Sequence, residues 1–187
     1  MSYFTQELGP KRFGLLRELV PGNVDVIVLA NPRNAAADSA VRDMQMAASA
    51  IGQQIGVLNA SDNREIDAAF TTMAQKRAPA LLIITDPLFT SRRVQLVILA
   101  ARHAIPAIYT SREFVEVGGL MSYEASLPDI NRQVGIYTGR ILKGMKPVDL
   151  PVVQPTKFEF VINLQTARAL RLEVPPTLLA RADEVIE

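Results

Sequence analysis

Residues Ala80-Leu81-Leu82-Ile83-Ile84 form an uninterrupted apolar run that stops at Thr85-Asp86-Pro87. The run is too short for a typical helix and shows no alternation, the pattern of a strand buried on both faces. Proline lacks an N–H and fixes its φ, so a hydrogen-bonded ladder cannot pass through Pro87. The strand therefore ends by presenting Asp86, Pro87 and the aromatic Phe89 at its C-terminal end. In open parallel α/β sheets, ligands bind outside that end.

The rest of the chain repeats this unit. Lys11 to Leu19 reads as an amphipathic helix stopped by Pro21-Gly22. Val24 to Ala30 is a first strand, and Asn31-Pro32-Arg33-Asn34 is a turn in which either Asn can cap the next helix. That helix runs to about Ile51 and stops at Gly52, and Ile55 to Asn59 is a second strand. Ser61 or Asp62 caps a helix reaching about Gln75, with Glu65 set to contact Asp62 in a capping box. Pro79 ends that unit. Thr90 to Arg102 is a further helix, and Ile105 to Tyr109 a fourth strand. Short apolar strands alternating with amphipathic helices predict an α/β fold: a parallel, Rossmann-like sheet in three αβα layers, with right-handed crossovers.

The later sequence is less regular. Arg112 to Val117 is a short helical segment, followed by Gly118-Gly119 and the short run Leu120 to Tyr123. Pro128 to Leu142 is a helix, Lys146 to Pro155 an extended segment punctuated by prolines, and Phe158 to Ile162 a strand. Thr166 to Leu170 and Pro176 to Val185 read as terminal helices.

Composition removes several classes of chemistry. The chain has no Cys and one His, which excludes disulfides, thiolate metal sites and cysteine nucleophiles, and leaves His103 without an evident catalytic partner. Its place just before Ala104-Ile105-Pro106 suits a helix C-terminus. Net charge is +1, with 20 basic and 19 acidic residues interspersed, so no nucleic-acid partner is expected. A phosphoacceptor role for Asp86 would need further acids near the first strand to hold Mg²⁺, and Asn31-Pro32 stands there instead. The same turn lacks the glycines of a dinucleotide site. No cofactor, metal or catalytic residue is expected, and the chain does not read as an enzyme.

What remains is a binding crevice. Asn31, Pro32 and Asn34, Asn59 and Ser61, Asp86, Pro87, Phe89 and Thr90, and Thr110, Ser111 and Glu113 all fall on loops after strands. Helices begin just beyond, so their free N–H groups would favour an anionic group. Asp86 could meet a ligand amine, and Phe89 could form an apolar wall. Asn, Asp, Ser and Thr are also the common caps, so it is the convergence on one sheet edge that points to ligand.

Several long stretches carry a more specific likeness. Lys11-Arg12-Phe13-Gly14-Leu15-Leu16-Arg17-Glu18-Leu19-Val20-Pro21-Gly22, Asp86-Pro87-Leu88-Phe89, Pro106-Ala107-Ile108-Tyr109, Arg112 to Tyr123, Gln154 to Leu164 and Pro175 to Ile186 resemble ABC-transporter substrate-binding proteins of the tryptophan/tyrosine type. The resemblance implies a type I periplasmic-binding-protein fold and a small, amino-acid-like ligand clamped between two lobes and handed to a membrane permease. It adds Tyr123 to the ligand-binding set. It implies that this chain corresponds to the second lobe (residues 1–126), a crossing helix and linker (127–157) and a returning strand and helices (158–187), with the first lobe missing. The helix over 129–143 would then lack its usual cover, and a homodimer through it is expected. Relatives commonly carry Gly where this chain has Glu124 and Arg171, and the resemblance places Glu124 near the cleft mouth. It implies a periplasmic location, whereas a true start at Met1, with no basic and apolar leader in Met1 to Glu7, implies a cytoplasmic one. An intracellular ligand-sensing module on the same fold is the alternative.

Overall fold

A computed structural model describes residues 8–20, 22, 25–76, 80–151 and 153–187. The expected roles of Pro21, Val24 and Pro79 lie outside the described residues. Among the described residues, seven strands form one sheet in the order β2-β1-β3-β4-β5-β6-β7. They are β1 (Val26–Ala30), β2 (Ile55–Asn59), β3 (Ala80–Ile83), β4 (Ala107–Tyr109), β5 (Met121–Ala125), β6 (Phe158–Asn163) and β7 (Glu184–Ile186). The first five are mutually parallel, β6 runs antiparallel to β5, and β7 is parallel to β6.

The uninterrupted apolar runs occupy the centre, as their lack of alternation requires. All four residues of β3 are fully buried, as are Val26, Val28, Leu29 and Ile108. Helices cover the sheet in two groups. α1 (Leu8–Leu19) packs on α2 (Ala37–Ser49) and crosses β3, β4 and β5. α3 (Asn63–Gln75) packs with α5 (Arg93–Arg102), and α5 packs with α6 (Arg112–Glu116). The parallel αβα reading therefore holds.

Several local expectations are corrected. Neither Asn31 nor Asn34 caps α2; Ala36 stands at its N-cap and the asparagine side chains turn toward β3. Asp62 caps α3 by accepting from Glu65 N, but Glu65 reaches back to Ser61 N and Oγ rather than to Asp62. The helix expected over 90–102 is two helices, α4 (Pro87–Ser91) and α5, broken at Arg92. Pro87 starts α4 because its missing N–H is harmless in a first turn. The terminal helix expected over 176–185 is only α9 (Pro176–Leu179), followed by β7. Asp183 secures that strand: its carboxylate accepts from Phe160 N at 2.8 Å, and its N–H donates to Phe160 O at 2.9 Å.

α7 (Leu127–Leu142) and β6 flank the linker, which contains a short 3-10 turn over Pro147–Asp149, and α8 (Leu164–Ala169) follows β6. α7 is capped by Ser126, and Asp129 is the one residue of the helix that is buried. Val134, Ile136, Ile141 and Leu142 are exposed, Leu142 to 82%. No helix among the described residues is long and apolar enough to cross a membrane.

Candidate functional site

The strand order reverses between β1 and β3, which lie side by side while the chain between them visits β2. Such a switch point leaves a crevice outside the strand C-termini. The loops that follow β1 and β3 meet there through one carboxylate. Asp86 Oδ1 accepts from Asn31 Nδ2 at 3.1 Å and from Leu88 N at 2.8 Å, and Oδ2 accepts from Asn34 Nδ2 at 2.9 Å. Asn34 Nδ2 also reaches Thr85 O, while Asn34 Oδ1 accepts from Ala36 N and Asn31 Oδ1 from Arg33 N. Each amide thus binds its own turn with its oxygen and Asp86 with its nitrogen. Asp86 is 2% exposed. Its lone pairs are directed to the two loops and to the start of α4.

A cavity of about 350 Å³ opens beside this lattice. Gly9 and Arg12 of α1 form one side, with Asn34, Ala36, Ala40 and Met44 on the next. Leu82, Ile84, Thr85 and Pro87 complete it from the β3 side. Arg12 is the one charged residue among these. The residue is 2% exposed, with Nε donating to Tyr123 O at 2.7 Å and Nη2 to Thr110 O at 3.4 Å. Burial, only partly offset by the nearby Glu124 and Tyr123, lowers its pKa to about 10, so it remains a cation at neutral pH.

The expected site residues distribute unevenly. Asn31, Asn34 and Asp86 are brought together, and Asn34 alone of the three lines the cavity. Pro32 is exposed on the turn. Phe89, expected as an apolar wall, is instead 1% exposed in the core, because α4 begins at Pro87 and turns it inward. Ser61 is tied to Glu65 at the end of β2. Ser111 stands at the N-cap of α6 without a side-chain capping bond, its Oγ buried and without a partner among the described residues, and the Glu113 side chain is exposed, 3.9 Å from Arg93 Nε. Tyr123 is half-buried and stacks on Phe158 with ring centroids 5.7 Å apart.

Glu124, expected near the cleft mouth, is buried to 8% exposure, and its Oε1 accepts from Arg112 N at 2.6 Å. Arg112 then joins Glu116, Glu159 and Glu184 at 2.9, 2.8 and 3.0 Å, bracing α6 against β6 and β7. Arg12, Met44 and Thr85 escaped the sequence reading. Nothing in the sequence around Arg12 marks it as buried, since its partners lie 98 and 111 residues away.

A family model described as ABC transporter substrate binding protein matches residues 6–186. Among solved structures, the chain is similar to a conserved domain protein of Vibrio cholerae, at 24% identity and a TM-score of 0.83. It is also similar to an ABC domain of Streptococcus pneumoniae in complex with L-Trp, at 25% identity and a TM-score of 0.82. A third likeness is to the ligand-free, open form of a substrate-binding protein with adhesive properties from Clostridium difficile, at 21% identity and a TM-score of 0.72. These alignments cover 95%, 95% and 94% of this chain, but the chain spans 60%, 62% and 59% of the respective relatives. No curated protein matches the chain.

Proposed function

We propose a solute-binding role for this chain, which belongs to the ABC transporter substrate-binding protein family. The crevice between the β1 and β3 loops holds a small organic solute of amino-acid size, and an ABC-type permease receives it. The observation that carries this reading is the position of the 350 Å³ cavity, at the switch point of a parallel sheet and beside a rigid polar lattice. Its volume falls at the small end of ligand pockets, roughly 300–1,000 Å³. The likeness to a domain solved with L-Trp supports a ligand of that size.

In this reading, Asn31 and Asp86 act as positioning groups, whereas Asn34 and Arg12 face the solute. Ser61, Ser111, Glu113 and Tyr123 border other parts of the same sheet edge, where closure would bring them toward ligand, and Pro32 shapes the turn. No catalytic step is assigned. Residues 1–126 supply the ligand wall, 127–157 a segment that leaves the α/β body, and 158–187 its return to the sheet. The exposure of α7 and the pairing of β6 with β5 support that division. A second copy of the chain covers the apolar face of α7, and the assembly works outside the cytoplasmic membrane, as solute capture for import requires.

The test is a thermal-shift screen of the chain against amino acids and small organic acids. Binding to the native state raises stability by RT ln(1 + [L]/Kd). Concentration-dependent stabilisation by at least one solute is expected; the reading fails if none stabilises the chain at millimolar concentration.

A further inference from the structure

Building on the solute-binding reading above, we propose that the ligand is a small monocarboxylic acid with an apolar tail and no ammonium group, its carboxylate held by Arg12. Arg12 is a buried cation that borders a cavity. Among the described residues its hydrogen bonds go to backbone carbonyls, which orient the guanidinium without neutralising it. No ion pair joins it to an acid among the described residues. Glu124 attracts it through space, but that carboxylate makes no direct contact with it and accepts the Arg112 N–H instead. A desolvated guanidinium at a cavity wall is matched by a carboxylate, which can accept from its planar fork.

The rest of the lining argues against an ammonium. Asn34 and Thr85 are neutral, and Ala36, Met44, Leu82 and Ile84 are apolar. Asp86, the acid nearest in the chain to this wall, is buried and already accepts from Asn31, Asn34 and Leu88. An amino-acid ammonium placed here loses hydration and meets no carboxylate among the described lining residues. An apolar tail against Met44 and Ile84 meets no such penalty.

The experiment is calorimetric titration of the full chain with three probes on one skeleton: 3-phenylpropanoate, 3-phenylpropanamide and phenylalanine. The acid is expected to bind, with the amide and phenylalanine each about tenfold weaker or more, the size of one charge-assisted hydrogen bond. Phenylalanine binding as tightly as the acid, or the amide matching it, overturns the proposal while leaving solute binding intact. If none of the three binds, the proposal also fails, and the wider thermal-shift screen separately decides whether the chain binds solutes. An Arg12→Met variant shown to be folded by circular dichroism is expected to lose acid binding; unchanged affinity overturns the assignment. Should that variant not fold, the three-probe comparison on the unaltered chain decides.

Discussion

Asn31 Nδ2 and Asp86 Oδ1 lie 3.1 Å apart, joining loops that follow two adjacent parallel strands. One carboxylate thereby fixes the floor of the crevice. Asp86→Ala strips acceptors from Asn31, Asn34 and Leu88 N at once. We expect a loss of about 2–4 kcal/mol in urea unfolding, because donors left unsatisfied in a buried site cost more than the bonds themselves contribute. Asp86→Asn, which keeps one acceptor oxygen, should fall between. A change within error of zero for Asp86→Ala would remove the lattice from the account.

Glu124 makes a prediction about pH. Burial is the main influence on it and holds its carboxyl above the ordinary value of 4.5, with the Arg112 N–H and Arg12 pulling the other way. A carboxyl raised in the native state binds more protons folded than unfolded. Its contribution is fully present below 4.5 and is lost as pH rises through the native value. The stability of the natural chain minus that of Glu124→Gln should therefore decrease from mildly acidic to neutral pH. Urea midpoints across that range measure it; a difference that rises with pH contradicts the assignment.

Arg171 sits just beyond α8 at φ +56°, a left-handed conformation that costs an L-residue roughly 1–2 kcal/mol. Arg171→Gly removes that strain but adds backbone entropy to the unfolded chain. A net stabilisation of about 0.5–1 kcal/mol in thermal or urea unfolding is expected. Destabilisation would mean that the Arg171 side chain contributes more than its backbone loses.

On α7, Val134 and Ile141, seven residues apart and so on one helix face, are exposed to solvent. Contiguous exposed apolar surface of this kind marks an interface. The chain is expected to run as a dimer in size-exclusion chromatography with light scattering, and Val134→Glu together with Ile141→Glu to shift it to monomer. A monomeric natural chain at all concentrations contradicts this.

The layered sheet was legible because its strands are continuous apolar runs between breakers, too short for typical helices. β5 and β7 were not. β5 carries the buried Ser122 and Glu124, whose partners come from elsewhere in the fold, and β7 is three residues that become a strand only by pairing with β6. At the site, Asn31, Asn34 and Asp86 stood out as polar residues following apolar strands. Arg12 did not, since a charged residue in an amphipathic helix reads as solvent-facing until distant carbonyls are placed around it. Phe89 misled for a related reason: its direction depends on where α4 begins, and Pro87 moves that start toward the strand.

The most direct test of solute binding at the β1–β3 crevice is backbone amide chemical-shift mapping of the full chain titrated with a stabilising solute from the thermal screen. Saturable shifts concentrated at Asn34, Ala36, Met44 and Thr85, around the cavity wall, are expected. Shifts centred on α7, or none in the loops after β1 and β3, would contradict it.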